Sequence, residues 1–189
     1  MEETDATAIA RARTGDSDAF RSLVERHSRN VFRLAFRMTG NENDAEDIVQ
    51  ETFLKAYKQL NRYESRSSFG TWLFRIAANC SLDLIRSRKH RQEVAMVDDE
   101  ERDTLAIVRS PAPGPDRLAV SKEVGRRVTE AMAELSAQER TAFVLRHFEG
   151  LSIEQISSML GVGGNAAKHS IFRAVQKLRR VLEPVVDAS

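Results

Sequence analysis

The sequence predicts an all-α protein: two small helical domains joined by a flexible linker, the second a four-helix domain containing a helix-turn-helix. Three observations predict it. Apolar residues recur at i, i+3, i+4 through most of the chain, and no stretch alternates with period two over the length of a strand. A middle segment loses that period and holds three of the chain's four prolines, Pro111, Pro113 and Pro115. Beyond it, two serine capping boxes and a glycine-rich turn mark closely spaced helix boundaries.

In chain order, residues 7–13 form a short helix stopped by Gly15. Asp16 or Ser17 caps a long one whose stripe is Phe20, Leu23, Val24, His27, Val31, Leu34, Ala35 and Met38. His27 lies on that stripe and reads as a partly buried core residue. Gly40 and Asn41 end the helix. The next carries Ala45, Ile48, Val49, Thr52, Phe53, Ala56, Tyr57 and Leu60 on one face, with Asn43 and Glu46 at capping-box spacing. Asp44, Glu46 and Asp47 crowd its first turn, where the helix dipole favours negative charge. After a polar connection, Ser67 or Ser68 caps a helix from Phe69, with Trp72, Leu73, Ile76, Ala77, Cys80 and Leu84 on its buried stripe. These helices make the first domain, residues 7–92.

Residues 93–120 are the linker. They carry an acidic cluster (Asp98, Asp99, Glu100, Glu101, Asp103) and then the prolines, which remove backbone donors. The second domain, residues 121–185, resumes with Val124, Val128, Ala131, Met132 and Leu135. Ser136 and Glu139 box a helix carrying Ala142, Leu145 and Phe148; Ser152 and Gln155 box a short one carrying Ile153, Ile156 and Leu160. Gly161, Val162, Gly163 and Gly164 make a tight turn, Asn165 caps the last helix and Pro184 ends it. A short helix, a glycine turn and a long helix are the helix-turn-helix pattern.

The charge balance sharpens this. Lys and Arg number 29 and Asp and Glu 28, a net charge of +1. No global field attracts nucleic acid, so any electrostatic binding must come from sorted charge. The charge is sorted. Asp47, Gln50, Glu51 and Leu54 form a strip outside the core stripe of their helix, and a solvated face rarely needs that leucine. Arg75, Asn79 and Arg86 face away from the core of the following helix, which runs out into Arg88, Lys89, His90 and Arg91. The final helix offers Lys168, His169, Ser170, Phe172, Arg173 and Lys177 as its exposed side. No acidic residue occurs between Gly163 and Leu182, which predicts DNA contact. The single cysteine, Cys80, excludes an internal disulfide and fits a reducing compartment. No apolar run approaches the ~20 residues of a membrane span, and the acidic start is unlike a signal peptide. A cytoplasmic protein with no membrane insertion is expected. There is no phosphate-cradling glycine loop, no paired His/Cys ligand spacing and no nucleophile elbow, so neither an enzyme, a metal site nor a cofactor is expected.

Four segments, in order, resemble the extracytoplasmic-function sigma factors, the small two-domain initiation factors of bacterial RNA polymerase. Gly15-Asp16 with Ala19-Phe20 is similar to the start of their first domain. DAEDIVQETFLKAY at 44–57 resembles the helix that docks on core polymerase, and FGTWLFRIAANCSLDLIR at 69–86 the promoter-melting, minus-ten segment. LRHFEGLSIEQISSML at 145–160 is similar to the approach to the minus-thirty-five reader.

The resemblance implies a factor that binds core RNA polymerase through Asp47, Gln50, Glu51 and Leu54. It assigns Arg75, Asn79, Arg86 and Arg88 to minus-ten DNA. It makes the connection of Ser65, Arg66, Ser67, Ser68 and Phe69 the loop that accepts a flipped base, whose unstacking costs a few kcal/mol. Trp72 falls on the core stripe. Lys168, His169, Ser170, Phe172, Arg173 and Lys177 are implied at the minus-thirty-five element. Here the chain departs from the family pattern, with Ala166 and Ala167 in place of a Thr-Val pair and His169 and Ser170 in place of Ser-Arg. Partners implied are core polymerase, promoter DNA and an anti-sigma protein. A stand-alone helix-turn-helix regulator is the competing class; it has no use for the acidic strip or the melting segment. The linker, about twenty-seven residues, reaches up to ~90 Å extended, against ~50 Å between elements one and a half turns apart.

Overall fold

The computed structural model describes residues 3–98 and 127–186. The chain divides into two units, Met1–Leu84 and Ile85–Ser189. Among the described residues every regular element is helical.

The first unit opens with α1, Asp5–Arg13, two residues earlier than the apolar period suggests, because Thr4 caps it by accepting from the Thr7 N–H. α2, Ser17–Thr39, is capped by Asp16, whose carboxylate accepts from the Asp18 and Ala19 N–H groups. Arg26 donates to Asp5 at 2.7 Å and His27 Nε2 lies 2.8 Å from the same carboxylate. Both tie the start of α1 to α2, and His27 is half-buried as its stripe position requires. Gly40 closes α2 with φ 70°, a left-handed conformation that glycine adopts without Cβ strain. That reversal takes one residue, so Asn41 is already extended and its side chain accepts from the Asp44 N–H. α3 is therefore Glu42–Gln59, and the expected cap, Asn43, lies inside its first turn. Ala45, Ile48, Thr52, Phe53, Ala56 and Leu60 are buried as expected, but Tyr57 is 52% exposed. A short 3-10 turn, Leu60–Arg62, leads into the connection.

α4 is Phe69–Asp98. Ser68 starts it, its Oγ accepting from the Thr71 N–H at 3.1 Å. Phe69, Leu73, Ile76, Ala77 and Cys80 are buried, joined by Ala78, Ser81 and Leu82. The helix is thus enclosed over a wider arc than the predicted stripe. Its helical backbone passes Glu93, where the linker was expected to begin; the rest of that segment, and Val124 after it, lie outside the described residues. The core of the unit is Leu23, Leu34, Met38 and Leu73, all fully buried, each burial contributing about 1.5–3 kcal/mol.

In the second unit, α5 covers residues 127–133, α6 Ala137–His147, α7 Ile153–Leu160 and α8 Gly164–Val186. Both predicted capping boxes form, Ser136 with Glu139 and Ser152 with Gln155. Ala131, Leu135, Ala174 and Leu178 make a core against which Met132, Phe143 and Val181 pack. Gly161, at φ 64°, ends α7. Three expectations shift. Phe148 follows α6 as its cap residue and is 50% exposed. Asn165 lies within the first turn of α8, which opens at Gly164. Pro184 does not end that helix, which continues to Val186.

Candidate functional site

Three exposed faces stand on these elements. The first is on α3. Asp47, Gln50 and Glu51 are exposed and Leu54 is 50% exposed, so a large apolar side chain does end an acidic strip at the surface. Tyr57 continues it. Its ring leans edge-on against Phe20, with centroids 4.9 Å apart, and leaves half its surface open. This corrects the expectation that Tyr57 lies on the buried stripe; the i, i+4, i+7 spacing of Gln50, Leu54 and Tyr57 is the signal that could have placed it on the strip. Glu51 is anchored from below. Lys55 Nζ lies 3.2 Å from its carboxylate and donates to Cys80 Sγ at 3.5 Å. Burial works against the Lys55 charge, but Glu51 and the Cys80 sulfur together raise its pKa. The Cys80 thiol is pushed up by burial, which outweighs the nearby ammonium.

The second face is the 63–68 connection with the solvent side of α4. Ser65 has φ 56°, a left-handed conformation uncommon outside glycine. Three contacts hold the loop. Arg13 donates to the Leu60 carbonyl at 3.2 Å and to the Tyr63 carbonyl, and the Tyr63 hydroxyl donates to the Ser67 carbonyl at 2.7 Å. Periodicity gave no sign of Arg13, because its role is to satisfy carbonyls 47 and 50 residues away. Ser65, Arg66 and Ser68 are exposed, Ser67 is half-buried, and Arg66 pairs with Glu64 at 2.7 Å. Phe69 is only 2% exposed. It packs edge-on to His27 and Tyr63 and tilts against Trp72, at centroid distances of 5.4, 5.5 and 5.6 Å. Phe69 is thus a buried prop beneath the loop, and Trp72, itself half-buried, packs into the same aromatic cluster. Arg75, Asn79 and Arg86 are exposed along one line of α4. Arg88, also exposed, lies about 140° around the helix from Arg75 at 100° per residue, so the structure does not bring it to that line.

The third face is on α8. Lys168, His169 and Arg173 are exposed and Phe172 is 61% exposed. Ser170 is not; it is 1% exposed. Its hydroxyl donates to the Ala166 carbonyl at 2.9 Å and accepts from Gln138 Nε2 of α6 at 3.1 Å. The expectation that Ser170 faces outward is corrected: it lies on the side of α8 covered by α6. Lys177, also expected on the exposed side, is half-buried instead. Its Nζ donates at 2.7 Å to Glu139 Oε2, and Arg173 Nε lies 3.6 Å from Oε1 of the same carboxylate. Glu139 also accepts from the Ser136 N–H at 3.0 Å. Burial would raise its pKa, but Lys177 and the Ser136 N–H hold the carboxyl below its usual range. The capping-box spacing marked Glu139; nothing local to it marked the cations it meets 34 and 38 residues on.

Among the described residues no group of three His, Cys, Asp or Glu is placed to hold a metal ion. No described helix is long and apolar enough to cross a membrane.

These faces sit on regions with known counterparts. Residues 23–91 match the family model of Sigma-70 region 2, and residues 125–178 that of Sigma-70, region 4. The chain is 36% identical over 184 residues to the ECF RNA polymerase sigma factor SigE of Mycolicibacterium smegmatis, covering 96% of this chain and 69% of that one. It is 30% identical over 176 residues to the ECF RNA polymerase sigma factor SigW of Bacillus subtilis, covering 92% and 94%. The sigma factor RpoE of Bartonella quintana, solved in complex with the anti-sigma factor NepR, superimposes with a TM-score of 0.63 at 25% identity, covering 87% of this chain and 96% of that one. With region 2 and region 4 in that order and similarity along nearly its whole length, the chain belongs to the ECF sigma factors of RNA polymerase.

Proposed function

We propose that the chain binds core RNA polymerase, recognises the minus-ten and minus-thirty-five promoter elements and promotes opening of the DNA, acting in the cytoplasm and catalysing no reaction itself. Residues 7–92 dock and melt, residues 93–120 span, and residues 121–185 read the upstream element. The α3 strip of Asp47, Gln50, Glu51 and Leu54 holds the enzyme. The Ser65–Ser68 loop receives an extruded base, and Arg75, Asn79 and Arg86 follow the strand, with Arg88 reaching phosphate from the far side of α4. On α8, Lys168, His169, Phe172 and Arg173 face the minus-thirty-five duplex. A further partner is an anti-sigma protein, which the RpoE complex supports by analogy.

One observation carries this reading. Leu54 is half-exposed at the end of an acidic strip on α3, and Arg75, Asn79 and Arg86 are exposed on α4. A repressor needs neither. The test mixes purified protein with core polymerase and a promoter-containing template. Promoter-dependent transcripts are expected; duplex binding without transcripts would favour the stand-alone regulator. Changing Glu51→Lys and Leu54→Ala together should abolish co-purification with core enzyme while circular dichroism stays unchanged. A double variant that still co-purifies moves the docking face elsewhere.

A further inference from the structure

Glu139 stands on α6, outside the helix that faces DNA, yet its carboxylate is committed to that helix. It is 5% exposed, receives Lys177 at 2.7 Å and lies 3.6 Å from Arg173. The two cations are not equivalent. The Arg173 side chain keeps 64% of its surface and the Lys177 side chain 37%. Gln138, one residue earlier, donates to Ser170, so adjacent residues of α6 grip α8 at three positions one turn apart. A buried carboxylate cannot be left unpaired cheaply. Lys177 is therefore held back from a passing phosphate, while Arg173 is limited in swing without being covered.

Resting on the minus-thirty-five reading above, we propose that Glu139 is a positioning residue that sets promoter discrimination: it withholds Lys177 from indiscriminate phosphate contact and aims Arg173 at the duplex. Non-specific affinity comes almost entirely from cation–phosphate pairs, whereas sequence is read by side chains held in register with base edges. Removing the Glu139 charge frees one cation for the first and loosens one reader for the second. The capping role separates cleanly from this. Gln155 makes the same box with Ser152 in this unit, so Glu139→Gln keeps the cap and removes only the charge.

The experiment measures holoenzyme binding across a salt series. Its probes are promoter fragments selected from a random DNA pool and scrambled duplexes of the same length. For Glu139→Gln, the salt slope on scrambled DNA should steepen by about 0.9, the contribution of one added phosphate contact. Affinity for scrambled DNA should rise by up to about eightfold at 0.1 M salt, that slope referred to 1 M. The ratio of promoter to scrambled binding should fall several-fold. Lys177→Gln alone should leave the scrambled-DNA slope unchanged, and in the Glu139→Gln background it should restore the wild-type slope.

An unchanged slope and ratio in Glu139→Gln overturns the proposal. So does a shallower slope in Lys177→Gln alone, since it would mean that Lys177 already meets phosphate; this arm decides even if Glu139→Gln fails to fold. Wild-type holoenzyme that does not discriminate at all overturns the underlying reading, and the proposal with it.

Discussion

A carboxylate that is buried and still charged makes stability depend on pH in a definite direction. Glu139 titrates below its ordinary value of 4.5 in the folded chain, because Lys177 and the Ser136 N–H favour the anion more than burial opposes it. In the acid range the folded state therefore binds fewer protons at this site than the unfolded state does. The stabilisation is fully present above about pH 4.5 and is lost as pH falls through the lower folded value. Urea unfolding of wild type and Glu139→Gln should differ by a constant amount near neutrality, and the gap should close below about pH 4.5. A gap that is the same at pH 7 and pH 3.5 would mean that Lys177 and the Ser136 N–H only offset the burial of the carboxylate and the ionised form brings no net stability. This residue also marks where reading by spacing stopped. The Ser136–Glu139 box was visible because it is local. The pairing with Arg173 and Lys177 depends on how α8 lies against α6, which no spacing within α8 encodes. Ser170 failed for the same reason: a hydroxyl that bonds to the carbonyl four residues back hides its polarity, and a serine on a basic helix face then passes for a surface residue.

At the scale of elements, the apolar stripes of α2, α3 and α4 were legible because helical period needs only near neighbours. Boundaries were less so. Asn43 with Glu46 had the letters of a capping box, but Gly40 turns the chain so tightly that Asn41 is the residue left extended before the helix. Asn41→Ala should cost about 1 kcal/mol of stability, the usual value of a lost N-cap bond. Asn43→Ala, inside the first turn and exposed, should be neutral or slightly stabilising, since alanine is the better helix former. Chemical denaturation of the two variants side by side decides it; equal losses, or a larger loss at Asn43, would return the cap to its sequence-predicted place. Tyr57 illustrates the complementary error. It keeps the period of the buried stripe, but α3 is covered by α2 over a limited arc. The tyrosine at the edge of that arc meets Phe20 with one side of its ring and leaves the other open.

Across the whole molecule, a net charge of +1 leaves the protein without a general attraction to DNA, so binding must come from holding its cationic faces on one duplex together. Whether they reach is a question of covalent length. Between Asp98, where α4 ends, and residue 127, where α5 is described, the chain spans up to about 95 Å when extended. Promoter elements one and a half turns apart need about 50 Å. Deleting residues 101–118 would leave about ten residues and about 35 Å, too short for both faces to engage. Promoter-dependent transcription should then be lost while core-enzyme binding persists. Inserting about ten Gly/Ser residues should be tolerated, because loop closure costs only about 0.3 kcal/mol more for that added length. Transcription at the wild-type level from the deletion variant would show that the two units do not hold one promoter at once. A same-length Gly/Ser replacement adds the remaining distinction. If it transcribes normally, reach alone matters; if it fails while the insertion succeeds, the acidic run around Asp99–Asp103 has a role beyond spanning, such as occupying a cationic channel of the enzyme.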